Sequence, residues 1–97
     1  MELTPDSILN NRYKIIRKLG QGGMGAVFEA YDQTLETQVA VKTNFNPAPE
    51  SVAQFLQEAR LLASLKHPNL PRVTDYFVIG NEQFLVMDFI PGDDLGK

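Results

Sequence analysis

Three groups of residues in this chain have the types and spacing to do chemistry. The first is Gly20-Gln21-Gly22-Gly23-Met24-Gly25-Ala26-Val27, a G-x-G-x-x-G-x-V string. Glycines let a backbone approach a ligand closely, and the free N–H groups of such a turn can point at phosphate oxygens. The second is Lys42, which ends the run Val39-Ala40-Val41. In an extended strand Ala40 and Lys42 share a face, so a small residue lies beside a cation and leaves room for a flat ligand with phosphates near the ammonium. The third is Glu58. On a helical wheel of about 100° per residue it is bordered by Phe55, Leu62 and Leu65. A carboxylate turned toward a core is costly unless paired, and Lys42 is a cation that could pair with it.

Each signal has a plainer reading. The glycines alone also fit a flexible hairpin turn, and a dinucleotide-binding turn would need them to open a helix. Ala26-Val27-Phe28-Glu29-Ala30-Tyr31 reads better as a strand, and a P-loop would need Gly-Lys-Ser/Thr where Gly25-Ala26 stands. A glycine flap between two antiparallel strands, covering a nucleotide, stands beside the hairpin turn as the other reading. Lys42 could be a strand-end lysine reaching for water. Glu58 could sit, solvated, at the edge of an apolar stripe. His67, the single histidine, lies at a helix end before Pro68 and reads as structural, because that is a poor place for a general base.

The rest of the composition narrows the function. Nine Lys and Arg against twelve Asp and Glu give a net charge of −3, which argues against a general nucleic-acid binder. With no cysteine, a disulfide scaffold, a thiolate zinc site and a thiol nucleophile are excluded. With one histidine, neither a His-based metal cluster nor a Ser/His/Asp triad can be assembled in the usual way. No apolar run approaches the roughly 18 residues of a membrane span, and Met1 to Asp6 does not read as a signal peptide. A soluble, cytoplasmic chain is expected. Its 97 residues suit one small domain with a thin core.

The elements that must position these groups follow from patterning. Residues 1–11 read as a polar lead-in, with Pro5, Asp6, Asn10 and Asn11 poor strand formers. A first strand runs from Tyr13 to Leu19 and is ended by Gly20. Ala26–Tyr31 is a second, and Val39–Thr43 a third after a polar turn of Asp32 to Thr37. Ser51 and Gln54 fit a capping box that starts a helix ending at Lys66, before Pro68. Strands over Arg72–Ile79 and Gln83–Phe89 flank the two-residue turn Gly80-Asn81. Five strands with short connections and one helix predict an α+β fold built on a mostly antiparallel sheet.

In this order and spacing the chain resembles the amino-terminal lobe of a protein kinase, from about Arg12 to the C-terminus. Leu19 to Val27 resembles the family's Gly-rich loop, and Val39-Ala40-Val41-Lys42 its third-strand lysine motif. Phe55-Leu56-Gln57-Glu58-Ala59-Arg60-Leu61-Leu62 resembles its C-helix. His67-Pro68-Asn69-Leu70 resembles the segment leading into the fourth strand, and Phe84 to Gly92 the fifth strand and hinge. The glycine-loop wording is most similar to bacterial kinases of the eukaryotic-like Ser/Thr type. The resemblance implies an ATP site. Gly20, Gly22 and Gly25 would shape a flap over the phosphates, with Gln21, Gly23 and Met24 between them and Ala26 directly after. Leu19, Val27 and Ala40 would roof the adenine, and Met87 would be the gatekeeper. The Asp88 carbonyl and Ile90 amide would meet the adenine edge, and Asp94, rather than Asp93, would contact the ribose. Lys42 would hold the α- and β-phosphates, and Glu58 would hold Lys42. Leu62 and Val73 would belong to the apolar spine that links the lobes.

The family's His-Arg-Asp loop, Asp-Phe-Gly and Ala-Pro-Glu motifs are not in these 97 residues. The resemblance therefore implies Mg2+ ligands in a carboxy-terminal lobe. It also implies an isolated 12–97 lobe that transfers no phosphate by itself, whose partners are ATP, its own second lobe and the parent's protein substrate. An apolar cleft face left uncovered would favour self-association. A pseudokinase or regulatory interaction module on the same scaffold is the alternative.

Overall fold

The computed structural model describes residues 3–65 and 71–89. Six strands and one helix follow in the order β1 (Ile8–Leu9), β2 (Tyr13–Gln21), β3 (Ala26–Asp32), β4 (Thr37–Asn44), α1 (Pro49–Ser64), β5 (Val73–Ile79) and β6 (Glu82–Asp88). They form one antiparallel sheet in the order β1-β2-β3-β4-β6-β5. The α+β architecture is as expected, with six strands rather than five.

The extra strand lies in the segment read as a polar lead-in. Asn10 and Asn11 adopt φ of 53° and 56°, and the Arg12 N–H donates to the Leu9 carbonyl over 2.9 Å. Asparagine tolerates the left-handed region, and two such residues in succession make the I′ turn that suits a tight hairpin. Ile8 then pairs with Lys14 and Leu9 with Tyr13, which buries Leu9 in the main core. The two asparagines that weakened the strand reading are the residues that make the hairpin. Strand β2 also runs one residue past Gly20, with register shifts between Ile15 and Arg17 and between Lys18 and Gly20.

Alternation sorts the sheet into two faces. Tyr13, Ile15, Phe28, Ala30, Val39, Val41, Phe84 and Val86 form the main core. Within it the Phe77 ring stacks between Tyr13 and Phe84, at 5.9 and 5.2 Å. The other face carries Leu85, against which Phe55 and Ala59 of α1 are buried. The β5–β6 turn is Gly80-Asn81 as expected, with Gly80 at φ 62°. A positive φ at the first central position is the II′ pattern, which glycine adopts without strain.

Asp32 organises the β3–β4 turn. Its carboxylate accepts the Thr34 and Leu35 N–H groups and a two-pronged bond from Arg12, both prongs 2.8 Å long. The Arg12 hydrogen bond holds the Asp32 carboxyl below the usual carboxylate range, against the opposing effect of burial. Burial, then the hydrogen bond to Asp75, pushes the Tyr13 phenol well above its usual value.

Two helix boundaries differ from expectation. The helix starts at Pro49, with Ala48 at the N-cap and no side-chain cap. Proline at the first helical position is pre-organised for a helix and needs no N–H there. Ser51 is thereby drawn into the first turn, and its hydroxyl donates to Asn44 Oδ1 over 3.2 Å instead of capping. The helix ends at Ser64 with Leu65 extended, so Leu65 does not flank Glu58 as the wheel predicts. Leu65 is exposed.

Candidate functional site

The register of the sheet assembles one wall of the site. Val27 pairs with Lys42 and Lys42 with Leu85, while Ala40 pairs with Met87. Because alternate residues share a face, Val27, Ala40, Lys42, Leu85 and Met87 all point to the α1 side. Helix α1 packs on that wall through Phe55, Ala59 and Leu85. Glu58 lies about one turn beyond Phe55 on the same side of the helix.

Lys42 and Glu58 meet there, with Nζ 3.8 Å from Oε1. The lysine side chain is 42% exposed and the glutamate 53%. Glu58 therefore pairs with the expected lysine but lies in a half-open setting, and the burial cost inferred from its apolar neighbours does not arise. The helix presents only Phe55 and Ala59 as buried residues, too narrow a stripe to cover the next position.

The glycine turn joins β2 to β3 above this pair. The Gly22 N–H donates to the Gly25 carbonyl over 2.8 Å, and the Phe45 N–H to the Met24 carbonyl over 3.0 Å. Together the turn, Lys42, Thr43 and the first turns of α1 enclose a cleft of about 380 Å³. Gly20, Gln21, Gly22, Met24, Gly25, Ala26, Val27, Lys42 and Glu58 line it. Two kinds of glycine are present. A Cβ added at Gly25 would overlap the Thr43 carbonyl oxygen, so the close approach of β3 to β4 requires glycine there. A Cβ at Gly20, Gly22 or Gly23 would meet nothing within 4 Å, which leaves backbone open to a ligand's polar atoms.

Other residues singled out in the sequence lie outside this cleft. Ala40 and Met87 stand on the same sheet face beyond its lining, and Leu19 is partly exposed on β2. Gly23 and Asp88 do not line it; Asp88 pairs with Val39 at the end of β6, and its carboxylate is 3.6 Å from Arg72. His67, Ile90, Asp93 and Asp94 fall outside the described residues. Thr43, Asn44, Ser51, Gln54 and Phe55 also line the cleft, and sequence reasoning placed none of them there. Alternation along β4 would place Asn44 on the same side as Lys42, but a polar residue at a strand end carries no further signal.

Among the described residues no group of His, Cys, Asp and Glu is placed to hold a metal ion, and no helix is long and apolar enough to cross a membrane.

Known proteins are similar to this chain. A family model described as "Protein kinase domain" matches residues 13–97. The chain is 36% identical to serine/threonine-protein kinase pkn2 of Myxococcus xanthus, over 96% of this chain and 12% of the relative. It is 39% identical to serine/threonine-protein kinase PknA of Mycobacterium tuberculosis, over 92% of this chain and 22% of the relative. For the probable serine/threonine-protein kinase YbdM of Bacillus subtilis the identity is 37%, over 91% of this chain and 36% of the relative. The chain thus spans well under half the length of these relatives. A crystal structure of a kinase domain superposes with a TM-score of 0.79 over 91% of this chain and 27% of its own, at 20% identity, which speaks for the fold. Six-stranded sheet, packed helix, glycine turn and family match agree, and the chain belongs to the protein kinase domain family.

Proposed function

We propose that residues 12–97 are the ATP-binding lobe of a serine/threonine protein kinase, whose parent moves the γ-phosphoryl of ATP to protein hydroxyls with Mg2+. The observation that carries this reading is the 3.8 Å pairing of Lys42 and Glu58 beneath an open glycine turn. The residues fit a nucleotide. Open space above Gly20, Gly22 and Gly23 admits phosphate oxygens to the backbone, and Lys42 offers three donors that Glu58 orients. Val27, Ala40 and Met87, with Leu19 at the rim, supply an apolar wall for the purine on the same sheet face. By resemblance, the Asp88 carbonyl, the Ile90 amide and Asp94 are the groups assigned to the adenine edge and the ribose.

Phosphoryl transfer of this kind depends on positioning and electrostatics, and ATP supplies the transferable group. This lobe holds the phosphates and fixes their direction. The general base and the magnesium ligands belong to the second lobe, so the 97 residues alone are inactive. The protein is cytoplasmic in this reading. The half-buried Val27, Ala40 and Met87 await that second lobe, and without it the chain self-associates at millimolar concentration, as light scattering would show.

The test is phosphotransfer from labelled ATP by the chain extended through its natural downstream sequence. Transfer by the longer protein, lost with Lys42→Met and absent from residues 1–97, is the expected result. A folded longer protein that transfers nothing would overturn it in favour of a regulatory module on the same scaffold.

A further inference from the structure

The helix that carries Glu58 is held to the sheet by a buried set of amides. Asn44 and Gln83 face each other in register on β4 and β6 and are 4% and 2% exposed. Asn44 Nδ2 donates to Gln83 Oε1 over 2.8 Å. Gln83 Nε2 in turn donates to the Val52 carbonyl in the first turns of α1, over 3.1 Å, and to the Tyr76 hydroxyl, over 2.8 Å. On the other side Asn44 Oδ1 accepts from the Ser51 hydroxyl at 3.2 Å and from the Asn46 N–H at 3.2 Å. Asn46 closes the set by donating through Nδ2 to the Met24 sulfur at 3.0 Å. No buried side-chain nitrogen or oxygen among the described residues lacks a partner.

We propose that Asn44 and Gln83 are positioning residues for the Lys42–Glu58 pair, a clasp that fixes where the start of α1 sits and so where Glu58 points. This rests on the kinase reading above, which gives that pair its purpose. The apolar grip on the helix is narrow: Phe55 and Ala59 of α1 are buried, with half-buried Leu62 on the same line one turn further on. A stripe that narrow resists separation but resists rolling weakly. The clasp grips two successive residues of the first turn, Ser51 through its side chain and Val52 through its backbone, and this defines both roll and height. Glu58 lies seven residues beyond Ser51, about two turns on and on nearly the same side of the helix. With side chains reaching about 5–6 Å from the helix axis, a roll of about 20° moves the carboxylate by roughly 2 Å. Starting from 3.8 Å, that breaks the contact with Lys42. The link through Asn46 to Met24 ties the glycine turn to the same clasp.

The test separates positioning from plain stability. Gln83→Leu alone strands the Asn44 amide and destabilises the fold. Replacing both partners, Asn44→Leu with Gln83→Leu, removes the stranded amide and recovers most of the stability. A polar pair exchanged for apolar groups of similar shape is nearly neutral, and the remaining partners Ser51, Asn46 and Tyr76 are half-buried and can turn to water. The chain has no cysteine, so cysteines introduced at exposed Gln33 and Gln57 can carry a spin-label pair that reads helix position without nucleotide. Affinity for Mg·ATP is measured beside it. The expected result for the double-leucine protein is a shifted or broadened label distance and binding weakened about fivefold, the size expected for losing a partly exposed charge contact. Adding Glu58→Gln then weakens binding no further, because both changes remove the same contact. Gln83→Glu repeats the test without a change of volume: it keeps the acceptor for Asn44 but no longer donates to Val52, and the distance shifts in the same sense. Unchanged distances in both proteins, or a loss that adds in full to that of Glu58→Gln, would overturn the clasp. A shifted distance in a chain that binds no ATP before mutation would uphold the clasp and overturn the nucleotide reading instead.

Discussion

Replacing Gly25 by alanine tests whether the glycine turn is shaped by its contact with β4. The added Cβ would overlap the Thr43 carbonyl oxygen, and would lie 3.0 Å from the Thr43 carbonyl carbon and 3.5 Å from the Asn44 Cα. All three atoms are backbone, so no rotamer change relieves the clash. The start of β3 must move off β4 by roughly 1 Å or more to reach ordinary contact. Two interactions span that gap: the Ala26 N–H to Thr43 Oγ1 bond of 3.1 Å, and the Phe45 N–H to Met24 carbonyl bond of 3.0 Å. At about 1 kcal/mol each their loss amounts to about 2 kcal/mol, within the usual cost of overpacking. Gly23→Ala is the control. Nothing lies within 4 Å of its Cβ and its φ is ordinary, so it changes stability by less than about 0.5 kcal/mol. Urea unfolding followed by circular dichroism reads both, since the chain has no tryptophan. Thr43 follows Lys42, so Gly25→Ala also displaces the lysine and lowers ATP affinity. A Gly25→Ala protein as stable as the parent, or a Gly23→Ala protein equally damaged, would refute the reasoning.

Three further outcomes follow from the packing. Leu9→Ala costs about 2–3 kcal/mol in urea unfolding, because Leu9 is fully buried although its strand is two residues long; a change under 0.5 kcal/mol would return residues 1–11 to the status of a tail. Phe84→Leu costs about 1–2 kcal/mol by opening the stack with Phe77, and a neutral result would show that the stack is not tightly packed. Asp32→Asn lowers the melting temperature at pH 7, and by less at pH 3. The folded carboxyl titrates below its usual value of about 4, so its stabilisation is complete above that value and fades as pH falls through the folded one. Equal losses at both pH values would show that the charge is not what matters.

The sheet and the Lys42–Glu58 pairing were readable because each rests on a strong local period: alternation over Val39–Lys42, and the helical repeat of Phe55, Ala59 and Leu62. The β5–β6 hairpin was readable because Gly80-Asn81 carries its own turn chemistry. Other features depend on what the chain meets in space. Asn10-Asn11 is a hairpin only if Leu9 has a core to enter. Ser51 looks like an N-cap until Pro49 starts the helix earlier and Asn44 offers its hydroxyl another acceptor. The exposure of Glu58 depends on how narrow the contact between α1 and Leu85 is, which no wheel shows. Asn44 and Gln83 were invisible for a related reason: a buried amide reads as a surface residue until its partners, here 39 residues apart, are brought together.

The energetics of the site set an order of cause. A lysine and a glutamate 3.8 Å apart and each about half exposed contribute at most about 1 kcal/mol. That is too little to hold a 16-residue helix in one orientation against its own rolling. The pair therefore reports the position of α1 more than it determines it. What determines it must be buried, because only there do hydrogen bonds escape competition with water. The candidates are the Phe55–Ala59–Leu85 cluster and the Asn44–Gln83 amides. The first supplies adhesion without direction and the second direction. In a site whose chemistry is orientation, a weak salt bridge can then form or break with small movements of the helix, while the amides decide which state the free lobe adopts.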